Sequence, residues 1–245
     1  MLCAPDATTA RLGRLADLDF DEAVGSDLVV YYDFDEGTGA DLTDLSSTGN
    51  HGTINSDTDP QWVEGISGTA LNFDGDASHT WIDAGNADNV NMTGPHSISF
   101  WLKWDGSGAS WSPLISKRPA AGGHNPQNYI TFIEADGTWF YCGGGCGIWE
   151  TGKPGSILTN EWTHLAVTQD ASNEVNFYIN GALANTMSAG VGALADGNLT
   201  VGIGQNGPPR DFGGGAIDEL RVYTKVLSET EIQALSDPDL VVYYN

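Results

Sequence analysis

Basic residues are scarce in this chain: 9 Lys and Arg stand against 33 Asp and Glu in 245 residues, a net charge of −24 at pH 7. Phosphate backbones are repelled by such a surface and no basic stripe overcomes it, so nucleic acid is excluded as a partner. Long apolar runs are missing too. None approaches the roughly 18 residues of a membrane span, so no span is expected. Residues 1–26 lack the order of a secretory leader, because Arg11 and Arg14 follow rather than precede any apolar stretch and Asp17, Asp19, Asp21 and Glu22 interrupt it. They read as a linker or the tail of a preceding unit, with any export signal lying elsewhere.

Cysteine is limited to three residues, and Cys142 and Cys146 flank Gly143-Gly144-Gly145. That flexible spacer lets the pair close a small disulfide loop in an oxidising compartment. Zinc would need two further ligands nearby, and none of the five His stands at metal spacing from the pair. Cys3 is left over.

Helical periodicity is also rare. Apolar residues recur every second position, and 32 Gly and 10 Pro break the chain into short pieces, a pattern of strands joined by tight turns. Length and the 40% apolar content suit one β-sandwich. The acidic surplus fits metal binding, a high-salt habitat or plain solubility.

The stretch Asp27-Leu28-Val29-Val30-Tyr31-Tyr32-Asp33-Phe34-Asp35-Glu36 alternates like a half-buried strand and closes in carboxylates. Its first six residues return as Asp239-Leu240-Val241-Val242-Tyr243-Tyr244, at an offset of 212. Self-similarity at a fixed period marks repeated units. Residues 27–236 therefore form one module, and 237–245 open a second copy, either as the start of a tandem neighbour or as a strand for head-to-tail self-association.

Alternating runs follow at 69–73, 80–83, 97–104, 129–134, 138–141, 162–168, 175–179, 199–204 and 216–223. Asn180-Gly181 is a strong hairpin signal. Only 228–235 reads as a helix, with Ser228 as N-cap and Glu231 completing a capping box before Asp237-Pro238 stops it.

Seven motifs appear in a recognisable order: Tyr31-Tyr32-Asp33-Phe34-Asp35-Glu36-Gly37, Asp44 to Gly52, Gly68-Thr69-Ala70-Leu71-Asn72-Phe73-Asp74-Gly75, Ser97-Ile98-Ser99-Phe100-Trp101-Leu102, Glu161 to Thr168, Tyr178-Ile179-Asn180-Gly181, and Gly215-Ala216-Ile217-Asp218-Glu219-Leu220-Arg221-Val222-Tyr223 running on to Leu227-Ser228-Glu229. This order resembles the laminin G-like jelly-roll domains of the concanavalin A-like lectin and glucanase superfamily. The resemblance implies an all-β, two-sheet antiparallel jelly-roll sandwich with one short C-terminal helix. It also implies extracellular or cell-surface use and, frequently, a structural calcium. The 27–35 strand is expected beside the 216–223 strand.

Calcium takes six to eight oxygen ligands. Asp35, Asp44, Asn50, Gly52 and Asp218 are the expected ligand residues, with Asp44 and Asp218 the pair the resemblance supports best. The bland alternative is that Asp44 caps its turn and Asp218 pairs with Arg221 or a backbone amide. Glycan binding needs aromatic platforms beside polar groups. Trp104, Trp111, Trp139, Tyr141 and Trp149, set among Gly, Ser and Pro, are the candidates, unless they fill the sandwich or cover its edge. Trp62, Trp101 and Trp162 read as packing residues.

Catalysis has weak support. Asp33 and Asp35 have the i, i+2 spacing of a paired-carboxylate site on a strand, yet the Glu-x-Asp-x-Glu strand of the superfamily's glucanases is absent. His164 has no Ser or Cys partner recognisable from the sequence. Three roles follow: a non-catalytic, calcium-binding extracellular module that binds glycan; a structural or adhesive repeat unit contacting a surface protein; and, least supported, a glycan-cleaving enzyme.

Overall fold

The period of two carries through to the structure, a computed structural model that describes residues 27–108, 110–119, 127–144, 150–151, 156–188, 190, 192, 194–204 and 212–241. Its strands are β1 (Leu28–Tyr32), β2 (Asp41–Leu42), β3 (Gly52–Asn55), β4 (Gln61–Glu64), β5 (Thr69–Phe73), β6 (Trp81–Asp83), β7 (His96–Trp104), β8 (Ser112–Lys117), β9 (Gln127–Ile133), β10 (Trp139–Gly144), β11 (Glu150–Thr151), β12 (Trp162–Gln169), β13 (Glu174–Ile179), β14 (Ala182–Ser188), β15 (Leu199–Val201) and β16 (Gly215–Tyr223). Two short helices follow, α1 (Glu229–Leu235) and α2 (Pro238–Val241).

Two antiparallel sheets make a jelly-roll sandwich. The first runs β14-β13-β12-β7-β16-β5-β4, with β1 also on β16; the second runs β11-β10-β9-β8-β15-β6-β3-β2. Inward residues of both sheets interlock, as when Trp139 meets Phe100 at 6.3 Å and Phe177 at 5.2 Å between ring centroids. Among the described residues no helix is long and apolar enough to cross a membrane.

As expected, β1 pairs with β16, in the register Leu28↔Tyr223 to Tyr32↔Leu220. The expected capping box also forms. Glu231 N–H donates to Ser228 Oγ, and Ser228 N–H donates to Glu231 Oε2 at 2.7 Å. The segment leading into α1 and the helix itself cross the outer face of the first sheet, where Leu227 and Ile232 bury Leu28, Tyr31, Ala166, Tyr178 and Tyr223.

Two expectations are corrected. Trp162 is only half-buried, with Lys103 Nζ 5.9 Å from its ring centroid, because strand alternation turns it to the outer face. A second short helix exists: Leu28–Tyr32 is a strand in the first copy of the repeat, whereas in the second copy Pro238–Val241 is a helical turn.

Candidate functional site

Strand β1 is an edge, and unpaired edge groups invite foreign strands. The loop after it closes that edge. Tyr31 N–H donates to Asp44 Oδ1 at 2.8 Å, Leu45 N–H donates to Tyr31 O at 2.9 Å, and Thr48 Oγ1 and Asn50 Nδ2 both donate to Val29 O at 2.7 Å. Asp44 also accepts from Ser46 N–H, Ser46 Oγ and Asn50 N–H. Four protein donors therefore meet this buried carboxylate, and Asn50 is engaged likewise. A Cβ on Gly52 would meet Ile82 Cγ2 at 2.9 Å, Tyr32 Oη at 3.2 Å and Leu42 Cβ at 3.3 Å, a close approach. Asp44 and Asn50 thus bond along the open edge of β1, and Asp44 also caps its own turn.

Asp35 and Asp218 meet elsewhere, at the turn joining β4 to β5. Thr69 N–H donates to Asp35 Oδ1 at 2.7 Å, Ile66 N–H donates to Asp218 Oδ2 at 2.8 Å, and Glu219 N–H donates to Asp218 Oδ1 at 2.8 Å. A Cβ on Gly65 would lie 2.5 Å from Asp218 Oδ2, 2.5 Å from Ser67 O and 2.7 Å from Thr69 O. One carboxylate and two carbonyl oxygens converge on that point. Burial, followed by the neighbouring Glu219, pushes the Asp218 carboxyl up to about 8, as expected of a carboxylate removed from water without a nearby countercharge. Arg221 does not supply one, because it pairs with Glu219 at 2.5 Å and lies 3.9 Å over the Tyr31 ring. Carboxylate and carbonyl oxygens are the donor type a hard cation such as calcium takes. Among the described residues, no group of three or more His, Cys, Asp or Glu could hold a metal, so main-chain oxygens must complete any such site.

The aromatic candidates separate by strand face. Trp104, Trp139 and Tyr141 are fully buried, which corrects their expected role as a surface platform. On β10, alternation sends Trp139 and Tyr141 inward together and turns the residue between them, Phe140, outward. Trp111 remains at the surface, half-buried beside Phe140 at 5.4 Å and Phe132 at 5.9 Å between ring centroids. Its φ of 68° is a left-handed conformation that a bulky residue rarely adopts. Glu134 Oε1 accepts its N–H at 3.1 Å. The sequence reading missed Phe140 and Phe132, although the alternation around Trp139 carries the signal. Trp149 lies outside the described residues. Cys142, on the same outer face, is disulfide-bonded, and Cys146 lies outside the described residues.

The catalytic candidates are placed as follows. Strand β1 ends at Tyr32, so Asp33 and Asp35 are not on a strand, and Asp35 N–H donates to Asp33 Oδ1 at 3.2 Å. His164 does find a serine: its Nε2 is 2.8 Å from Ser99 Oγ. Both are buried, His164 Nδ1 has no hydrogen-bond partner among the described residues, and burial holds the imidazole down at about 3. A neutral, sealed imidazole lacks both the access and the basicity of a general base.

Against solved structures the chain is similar to domain 4 of AbnA, an extracellular GH43 arabinanase from Geobacillus stearothermophilus, seen in complex with arabinotriose (23% identity, 86% of this chain and 98% of that one, TM-score 0.64). It is similar as well to the binding domain of Paraclostridial Mosquitocidal Protein 1 (16% identity, 87% of this chain, TM-score 0.64) and to botulinum neurotoxin type C, whose cell entry is described as dependent on two ganglioside molecules (17% identity, 89% of this chain, TM-score 0.63). This chain spans 52% of each of those two. No curated protein matches it in sequence. The laminin G-like model described as concanavalin A-like lectin/glucanases superfamily matches residues 74–233, well over half of the sequence, and the chain belongs to that family.

Proposed function

We propose that this chain is a non-catalytic glycan-binding module of the cell exterior, stabilised by calcium. The carrying observation is Trp111, a half-exposed indole packed against Phe140 and Phe132 on the outer face of the second sheet. Sugar rings stack their C–H faces on such rings, and a platform held rigid loses little entropy when it binds. The similarity to a domain seen with arabinotriose, and to a neurotoxin described with gangliosides, supports the same class of ligand. Calcium is proposed at the turn between β4 and β5, held by Asp218 and Asp35 with the Ser67 and Thr69 carbonyls. It would supply the countercharge that Asp218 lacks and tie β16 to the turn. The cation is assigned no part in chemistry on the sugar.

A glycan array at fixed calcium tests the reading. Binding to a defined set of glycans, lost in Trp111→Ala with an unchanged fold, is the expected result. A flat array with folded protein removes it and leaves the structural or adhesive repeat unit, which the duplicated hexapeptide favours.

A further inference from the structure

Trp162 and Lys103 stand together on the outer face of the first sheet, and neither has a part in the site around Trp111. Core packing fixes the orientation of their neighbours. Trp62, Leu71, Ile217 and Leu102 belong to the core or pack against it, so the residue beside each of them on its strand, Gln61, Asn72, Ala216 and Lys103, faces out. The strand registers put Gln61 opposite Asn72, Asn72 opposite Ala216, Ala216 opposite Lys103, and Lys103 opposite Trp162. These five residues form one row across β4, β5, β16, β7 and β12. Its ends are four strand spacings apart, about 19 Å, and Ala216, with only a methyl group, keeps the middle low.

Polar groups of this row lack partners. Acidic residues outnumber basic ones 33 to 9, and Arg221 and Lys225 are paired with Glu219 and Glu231. Lys103 makes no ion pair or hydrogen bond among the described residues; its ammonium lies 5.9 Å from the Trp162 ring centroid. The half-buried Asn72 carboxamide has no hydrogen-bond partner there either. Gln61 Nε2 donates to Asp59 O at 2.7 Å, which leaves its Oε1 open among the described residues.

An indole that is half-exposed offers its face to the C–H side of a pyranose ring. Amides donate to and accept from hydroxyls, and an unpaired ammonium takes a carboxylate. An added peptide strand does not match, because the row runs across strands whose main-chain groups are already paired on both sides from β5 to β12. We propose that this row binds an acidic oligosaccharide with sparse carboxylates, one pyranose ring lying on Trp162, its carboxylate on Lys103, and further hydroxyls on Asn72 and Gln61. The net charge of −24 works against densely charged glycans. Charges more than about 8 Å away are screened at physiological ionic strength, so a single carboxylate answers to the ammonium it meets. The row lies on the opposite side of the sandwich from Trp111 and is independent of that platform.

The test is an array of acidic oligosaccharides beside their carboxyl-reduced counterparts, in which each carboxylate has become a hydroxymethyl group, at physiological ionic strength. The parent chain is expected to bind at least one acidic member and to bind its reduced counterpart about tenfold or more weakly. Lys103→Gln, which keeps much of the stem over the indole, should remove that preference with an unchanged melting temperature. Trp162→Ala should remove binding of that acidic member, and Trp111→Ala should keep the preference. If no acidic member is preferred over its reduced counterpart, or if Lys103→Gln or folded Trp162→Ala keeps the preference, the proposal is overturned while the Trp111 platform stands. If Trp111→Ala abolishes the preference, the proposal is overturned in favour of that platform.

Discussion

Asp44 Oδ1 accepts the backbone N–H of Tyr31 at 2.8 Å, and through that bond a loop carboxylate replaces the missing neighbour of an edge strand. The same carboxylate takes three further donors from its own loop. Charge-assisted bonds are worth roughly 1.5–3 kcal/mol each, less when lost together. Asp44→Ala should therefore destabilise the module by about 3 kcal/mol and leave any calcium response in place. A calcium shift abolished by this variant while the fold persists would contradict the edge-seal assignment.

Asp218 should link pH to calcium binding. Its carboxyl is pushed up to about 8 by burial and by Glu219, so the folded state holds a proton that the unfolded state gives up near 4. This contribution to stability is complete below the unfolded value and is lost as pH rises through about 8. Metal-free protein should melt lower at pH 8.5 than at pH 6. Calcium should raise the melting temperature and, at pH 7, release a proton, visible as a dependence of binding heat on buffer ionisation enthalpy. Asp218→Asn should lose both effects; equal heats in all buffers would remove the assignment.

Gly65→Ala tests the same turn without touching a carboxylate. Its Cβ would fall on Asp218 Oδ2 and the Ser67 and Thr69 carbonyls. Calcium stabilisation should disappear, while glycan binding at Trp111 in the folded variant persists.

Trp111 and Trp139 should behave oppositely. Trp139 is fully buried between the sheets, and Trp139→Ala should cost about 3–5 kcal/mol. Trp111→Ala should remove glycan binding with a small loss of stability. Chemical denaturation and a glycan array on each variant check the pair; intact binding in Trp111→Ala would move the ligand site elsewhere.

His164 should make the module acid-labile in its own pH range. Burial, assisted by Arg221, holds its folded value down at about 3, so stability is lost as pH falls from about 6.5 towards 3. His164→Gln should flatten that part of the stability profile, measured by urea unfolding between pH 4 and 7.

Local chemistry was legible in the sequence wherever short range sufficed. Period-two alternation marked the strands, Ser228 with Glu231 wrote the capping box, and seven ordered motifs pointed to the laminin G-like sandwich. The repeated hexapeptide was visible as an identity in the chain. Tertiary structure alone decided which face each strand presented and which donor each carboxylate met. Asp44 and Asp218 look alike as acidic residues in the sequence; one takes donors from its own loop and from the edge strand β1, and the other takes backbone N–H groups of the turn between β4 and β5 and of Glu219. Trp139 and Phe140 are neighbours in sequence, yet one fills the core and the other flanks the Trp111 ring. Adjacent residues of a regular strand face opposite ways, and only the packing of the second sheet determines which way is in.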